Sequence, residues 1–318
     1  MIRDKLPILL WESSNPTSHI HLKVLEKYFE IRLDRDKLSN KEKESVLGIS
    51  THTSPKEFYD YKFFKQYKSL EFVASPTTGN THFDENSLQK TNIKVFKLKG
   101  RKILNSITSS SEHALFLLLA AFRNSKRISD AVNDGSWRSR EKEFRANQIA
   151  NKKIGIIGFG RIGNNVAKCL KALKAEIFIN DIRDIKSEFT TIDLKTMFKI
   201  CDAILISCTF DESTFKLINK NLLNLANNIF LINIARGEII NEIDLLESIH
   251  SGNVSRYYSD VISSEQLGCK NNLIWRESKI NKNIELSPHS AGLSYESEDF
   301  AASDIVEQIE SFMKKRCL

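Results

Sequence analysis

Three glycines, Gly158, Gly160 and Gly163, constrain the fold of this chain more than any other feature, because of what flanks them. An apolar run, Ile154 to Ile157, leads into the first. A helical pattern follows the third. A second apolar run, Ile177 to Ile179, ends at Asp181, 18 residues beyond Gly163. Each part has a physical role in a strand–turn–helix–strand unit. Gly158 permits a tight turn, Gly160 has no side chain to keep the backbone from a pyrophosphate, and Gly163 lets helix and strand pack closely. The helix would open at Arg161 and Ile162, offering unpaired N–H groups and a positive dipole end to phosphates. Asp181 can accept hydrogen bonds from two ribose hydroxyls. The unit therefore predicts dinucleotide binding, against the plainer reading of a tight turn with no ligand. A carboxylate at 181 would repel a 2′-phosphate, which favours NAD over NADP; Arg183, close by, argues the other way.

The glycines stand halfway along 318 residues, a length that suggests about two domains. More than a hundred residues precede them, and 41% of the whole chain is apolar, so the preceding part is expected to fold as well. No stretch of 18 apolar residues occurs; the closest approach is Ala114 to Phe122. The segment Met1 to Pro7 lacks the apolar core of a signal peptide, and a soluble, cytoplasmic protein is expected. Five scattered cysteines (Cys169, Cys201, Cys208, Cys269, Cys317) with no C-x-x-C pair read as reduced, several as small core residues. The seven histidines are dispersed, so no metal centre is expected. The net charge is +7, but the 47 basic residues mingle with 40 acids and form no long basic run. They read as solvated faces that also help collect anionic ligands, not as a nucleic-acid surface.

Before the glycines, short apolar runs at 7–11, 46–50, 70–74 and 93–96 read as strands. Helical patterns lie between some of them, over about 18–29 and 85–91. Strands alternating with helices imply a parallel sheet. A long apolar helix is predicted from Ser110 to about Val132. After Asp181 the rhythm resumes, with strands at 203–207, 229–235, 256–261 and 284–287. Ligands of such sheets bind beyond the carboxyl ends of the strands. The charged groups found there are Arg236, Asp260 with Glu265 after it, and His289. Singly, these read as a helix-end charge, a loop acid and a structural cap. Jointly, a guanidinium, a carboxylate and an imidazole beside a nicotinamide could move a hydride to or from an oxo-acid carbonyl.

Several segments then resemble those of the D-isomer-specific 2-hydroxyacid dehydrogenases, over nearly the whole chain. They are Leu231 to Gly237 (an Asn-x-Ala-Arg-Gly pattern), Ser259 to Glu265, and Ser287 to Gly292 (a Pro-His-x-x-Gly pattern). Ser111-Glu112-His113 resembles the family's Ala-Glu-His helix start, and Ser75 to Gly79 its substrate loop. The resemblance implies an α/β chain of two doubly wound parallel-sheet domains. A Rossmann cofactor domain, 104–290, would be inserted into a flavodoxin-like substrate domain formed by 1–103 and 291–318. The active site would lie in the cleft, closed by a hinge.

The resemblance also implies roles. Arg236 would hold the substrate carboxylate and polarise its carbonyl with two donors. His289 would give and take the proton, and Glu265 would orient its ring and favour the protonated form. Asp260 resembles the residue that binds the nicotinamide carboxamide, and Cys208 and Thr209 would line the cofactor side. Backbone N–H groups around Thr78, Gly79 and Asn80 would bind the substrate carboxylate. His52 falls in a loop that often touches substrate; an exposed loop histidine is the plainer reading. The chain departs from the family at Ile206 to Phe210, at Gln266 and at Ala291, but no catalytic group is missing. The expected partner is a small 2-hydroxy or 2-oxo acid, phosphorylated or not. An NAD-sensing binding protein resembling the C-terminal-binding corepressors is the alternative. A homodimer is expected, both from the length of the 114–122 apolar run and because the family usually dimerises through its cofactor domains; burial of that run within the monomer is the other reading.

Overall fold

The structure is a computed structural model and describes residues 6–12, 19–52, 58–79, 83, 84, 86, 88, 90–98 and 100–316. It divides into two compact units. One comprises Met1–Ile107 with Leu293–Leu318, the other Thr108–Gly292. The expected divisions after 103 and 290 fall short of these by four and two residues.

In the first unit, β1 (Ile8–Trp11), β2 (Glu30–Arg32), β3 (Val46–Ser50), β4 (Phe72–Ser75) and β5 (Lys94–Lys97) form one parallel sheet in the order β2-β1-β3-β4-β5. Side chains alternate across a strand, yet all four residues of β1 are buried. The reason is that both faces are covered. Leu9 and Trp11 pack with Ala301, Ile305 and Ile309 of the Tyr295–Arg316 helix, while Ile8 and Leu10 pack with Phe63, Phe64 and Tyr67 on the opposite face. Parallel strands buried on both faces read as continuous apolar runs, which is why this sheet is visible in the sequence. Each such side chain contributes about 1.5–3 kcal/mol on burial. The Tyr295–Arg316 helix has Glu296 and Glu298 in its first turn and Lys314, Lys315 and Arg316 in its last, in keeping with its dipole.

The second unit holds a seven-stranded parallel sheet in the order β12-β11-β10-β9-β6-β7-β8. Its strands are β6 (Lys153–Ile157), β7 (Glu176–Asn180), β8 (Thr190–Thr191), β9 (Ala203–Ile206), β10 (Ile229–Asn233), β11 (Val254–Ser259) and β12 (Ile284–Leu286). The chain winds outward from β6 through β7 to β8, then returns to lay β9 on the other side of β6. Ligands of doubly wound sheets bind at such a reversal. The two-residue period sorts the core. Ile154, Ile156, Leu205 and Ile232 face the Ser109–Arg123 and Arg161–Ala172 helices, while Ile157, Ile204, Ile206 and Leu231 face the other layer.

Several expectations need correcting. β2 and β8 were not foreseen: one is a half-buried Glu-Ile-Arg and the other two exposed threonines, so neither carries an apolar run. The long helix from 110 is two. It stops at Asn124, whose left-handed backbone (φ 60°) ends the Ser109–Arg123 helix, and a second helix runs Ser125–Asn133. The 18–29 helix is helical only over His19–Leu22 and continues as hydrogen-bonded turns to Phe29. Of the described cysteines Cys201 alone is buried, where several were expected in the core; Cys208 and Cys269 are half-buried and Cys169 is exposed. The apolar 114–122 run is occupied by its own unit's core, where Ala114, Leu117, Leu118 and Phe122 are buried, so its length does not call for a partner. The short helix expected over 85–91 and Cys317 lie wholly or partly outside the described residues. Among the described residues, no helix is long and apolar enough to cross a membrane.

Candidate active site

The turn after β6 fits a dinucleotide. Gly158 has φ +89°, in the left-handed region, and its N–H donates to the Asn180 carbonyl (2.8 Å). A Cβ there would come within 2.4 Å of the Cys208 backbone. One on Gly163 would lie 2.3 Å from the Gly158 carbonyl oxygen, so the third glycine sets the distance between helix and turn. One on Gly160 would meet nothing within 4 Å. The second glycine thus opens onto free space at the start of the Arg161–Ala172 helix, where a phosphate can approach. The Asn164 N–H donates to the Gly160 carbonyl (2.9 Å) where this helix opens, so the positive end of its dipole lies at the glycine turn. The Ile162 side chain rests against the core, so what it offers a ligand is its backbone. Arg161 is half-buried, and burial pushes its pKa down.

At the end of β7, Asp181 is held by Arg183. The guanidinium Nε donates to Oδ1 (2.8 Å) and Nη2 to Oδ2 (2.9 Å), and the Phe159 and Arg183 N–H groups donate to the same carboxylate (2.8 and 3.0 Å). The Arg183 side chain, aided by these N–H donors, holds the Asp181 carboxyl at about 2, so it is ionised at neutral pH. After β9, Ser207 donates from Oγ to the Gly158 carbonyl (2.8 Å) and braces the glycine turn. Cys208 is half-buried, with burial pushing its thiol up to about 11. Thr209 is exposed, and its carbonyl accepts from Thr214 Oγ1 (2.9 Å).

The ends of β10, β11 and β12 carry the other candidates. Asn233, fully buried, accepts from Ala235 N–H (3.0 Å) and donates to the Arg236 carbonyl (3.0 Å), closing the loop that presents Arg236. Arg236 donates from Nη1 to the Ala235 carbonyl (2.6 Å), and no carboxylate among the described residues forms an ion pair with it. A Cβ on Gly237 would come within 2.0 Å of the Ile262 backbone, so the glycine after the arginine lets the loops beyond β10 and β11 touch. Glu265 and His289 meet directly, with Nδ1 and Oε1 2.5 Å apart. Nε2 is therefore the ring nitrogen left for other chemistry.

Asp260 directly follows β11. It is 1% exposed, and its carboxylate accepts from Ser287 Oγ (2.5 Å), Ser290 N–H (2.9 Å) and Ala291 N–H (2.8 Å), with His113 Nε2 3.3 Å away. Burial alone would raise its pKa, but the His113, Ser287 and backbone donors outweigh it and hold the carboxyl below its usual range. The bonds of this acid go to the loop carrying His289. The sequence reading assigned no role to Asn233, Ser207, Ser287 or His113. All but Ser207 lie in the family-like segments, but what each holds is set by distant parts of the chain.

Thr78 and Gly79 lie in the loop after β4, in the five-stranded unit. There the Gly79 carbonyl accepts from Thr77 Oγ1 (2.7 Å), and Thr77 Oγ1 lies 2.9 Å from Ser75 Oγ. Asn80 lies outside the described residues. The His52 N–H donates to Tyr59 Oη (3.3 Å) in the same unit.

Residues 115–291 match the family model described as D-isomer specific 2-hydroxyacid dehydrogenase, NAD binding domain. The chain is 29% identical over 245 residues to a hydroxypyruvate reductase of Thermotoga maritima, covering 76% of this chain and 77% of that one. It is 27% identical over 257 residues to a formate dehydrogenase of Neurospora crassa, covering 77% and 68%. Its fold is similar to that of the D-lactate dehydrogenase of Aquifex aeolicus solved with NAD and lactic acid. The TM-score is 0.79 at 21% identity, with 97% of this chain and 96% of that one covered.

Proposed function

The chain belongs to the D-isomer specific 2-hydroxyacid dehydrogenase family and is an NAD-dependent dehydrogenase, and from that premise we propose that it interconverts a D-2-hydroxy acid and its 2-oxo acid through Arg236, Glu265 and His289. The observation that carries this reading is the 2.5 Å pairing of Glu265 with His289 Nδ1 at the carboxyl end of the sheet. NAD, when bound, supplies or accepts the hydride. The remaining work falls to side chains. Arg236, with no competing acid among the described residues, binds the substrate carboxylate with a planar pair of donors and polarises the carbonyl. His289 holds a proton at Nε2 and passes it to the carbonyl oxygen as the carbon is reduced; in oxidation it takes the hydroxyl proton back. Glu265 fixes the ring and stabilises the imidazolium. Gly158, Gly160, Arg161, Ile162 and Gly163 bind the pyrophosphate through the backbone, Asp181 the ribose, and Cys208 and Thr209 flank the cofactor. The N–H groups of Thr78 and Gly79 offer donors for a carboxylate.

The test is NADH oxidation with a panel of 2-oxo acids, wild type against His289→Gln. Turnover on the best substrate should fall about a hundredfold or more, about 2.7 kcal/mol, with NADH binding nearly unchanged. Wild-type turnover in His289→Gln would remove His289 as the proton donor.

A homodimer is proposed as well, on a different footing from the buried 114–122 run. Phe116 (54% exposed) on the Ser109–Arg123 helix, Val132 (55%) on the Ser125–Asn133 helix and Trp137 (67%) just beyond it leave apolar side chains exposed. Light scattering that gives a monomer at micromolar concentration rejects it.

A further inference from the structure

His113 stands in the second turn of the Ser109–Arg123 helix, far in sequence from every residue assigned above, yet its ring reaches the loop that carries His289. Its Nε2 lies 2.8 Å from Ser287 Oγ and 3.3 Å from Asp260 Oδ1. Ser287 has a single hydroxyl hydrogen, directed at Asp260 Oδ1 over 2.5 Å. The contact between Ser287 and His113 must then be Nε2–H donating to Oγ. Helix, serine and aspartate form a chain of donors that ends on a carboxylate.

That carboxylate grips the reactive loop from beneath. Asp260 accepts from the N–H groups of Ser290 and Ala291, the two residues after His289. The His289 N–H itself donates to the Asp260 carbonyl (2.8 Å) and the Ser287 carbonyl (3.0 Å). These bonds matter because His289 has φ 53°, a left-handed backbone that a side chain with a Cβ resists. Such strain persists only where the surroundings over-determine it. Asp260 is 1% exposed, and no lysine or arginine among the described residues pairs with it; His113 is the titratable base within reach.

We propose that His113 is a positioning residue for the acid–base histidine: its Nε2–H, acting through Ser287 and Asp260, fixes the strained backbone on which His289 is mounted. The proposal rests on the reading that His289 moves the proton. It follows that loss of the donor should slow the proton-transfer step more than it weakens substrate binding. A buried acceptor left without its donor rearranges its neighbours, and small displacements of an acid–base group are costly.

The experiment uses the full chain with NADH and the best 2-oxo acid of the panel. His113→Leu removes the donor at similar size, His113→Gln restores an N–H donor at the end of the side chain, and Ser287→Ala cuts the same link from the other side. Expected are a roughly tenfold loss of kcat in His113→Leu and in Ser287→Ala, with KM for the oxo acid within about twofold. His113→Gln should recover to within about threefold of wild type. Wild-type kcat in His113→Leu or Ser287→Ala, even with a lowered Tm, overturns the proposal. So does a His113→Gln as impaired as His113→Leu, since packing rather than donation would then be at stake. His289→Gln, run in parallel, separates the two claims. Full activity there defeats the acid–base reading itself, whereas its loss beside an unimpaired His113→Leu defeats only the positioning role.

Discussion

The turn after β6 and the loop after β12 both carry a left-handed backbone at the proposed site, and they obtain it in opposite ways. At Gly158, with φ +89°, the conformation carries no steric cost, because there is no Cβ. At His289, with φ 53°, a residue proposed as the acid–base group is held where its backbone resists, and Asp260, Ser287 and His113 surround the loop. The first turn is specified by what is missing from three residues close together in sequence. The second is specified by bonds from the helix at 109–123, the end of β11 and the loop itself. A site that only cradles a phosphate can be built locally; one that aims an imidazole needs support from several elements.

The largest effects should come from adding methyl groups to the glycine turn, and they should differ sharply between neighbours. In Gly163→Ala the new Cβ lies 2.3 Å from the Gly158 carbonyl, which cannot yield without moving the turn. A cost near 3 kcal/mol and loss of NADH binding by more than about a hundredfold are expected. Gly160→Ala meets nothing within 4 Å and has an ordinary φ of −79°. Its Tm should match wild type, while NADH affinity drops at least about tenfold, because the methyl group occupies the space a pyrophosphate would take. Thermal melts and fluorescence titration check both. A Gly160→Ala protein that binds NADH like wild type would mean that the turn does not receive the phosphates.

A smaller effect tests the other half of the contrast. His289→Ala and His289→Gly both lose the imidazole and the Glu265 pairing, so their difference isolates the backbone. In most positions glycine is the less stable of the two, by about 0.5–1 kcal/mol in a regular element. At φ 53° the order should reverse, with His289→Gly the more stable by about 1 kcal/mol. Urea unfolding of the two variants measures this. An alanine variant as stable as the glycine one would show that the loop is not strained, and would weaken the case for its supports.

The same contrast explains what the sequence made legible. Strands buried on both faces, such as Val46–Ser50 and Ile229–Asn233, stand out as apolar runs, and the glycine turn stands out by spacing. Short edge strands do not: Glu30–Arg32 and Thr190–Thr191 have no apolar face to reveal them. Asn124 was a missed signal, since asparagine tolerates the left-handed backbone that divides the long helix. In the site, Arg236, Glu265 and His289 could be chosen by residue type and position after a strand. The burial of Asp260 could not, because its partners come from residues 113, 287, 290 and 291, and only folding brings these together.

The smallest expected effect concerns the acid at the far side of the glycine turn. Asp181 is the group expected to hold the ribose, and Arg183 now occupies both its oxygens from a largely exposed position. Two outcomes compete when a cofactor arrives. If the arginine stays on the carboxylate, the local charge is near neutral and a 2′-phosphate is repelled little. If it swings into solvent, the bare carboxylate repels the phosphate and accepts the ribose hydroxyls. The ionised state of Asp181 persists far below neutral pH, so the carboxylate is charged in either case. Wild type is expected to bind NADH at least tenfold more tightly than NADPH, about 1.4 kcal/mol. Arg183→Ala should leave NADH affinity within about threefold and weaken NADPH a further few-fold, because the guanidinium is the cation that tempers the repulsion. Fluorescence titration with both cofactors decides it. Equal affinities in wild type would assign Arg183 as a phosphate partner, and an unchanged ratio in Arg183→Ala would show that the arginine has no part in the choice.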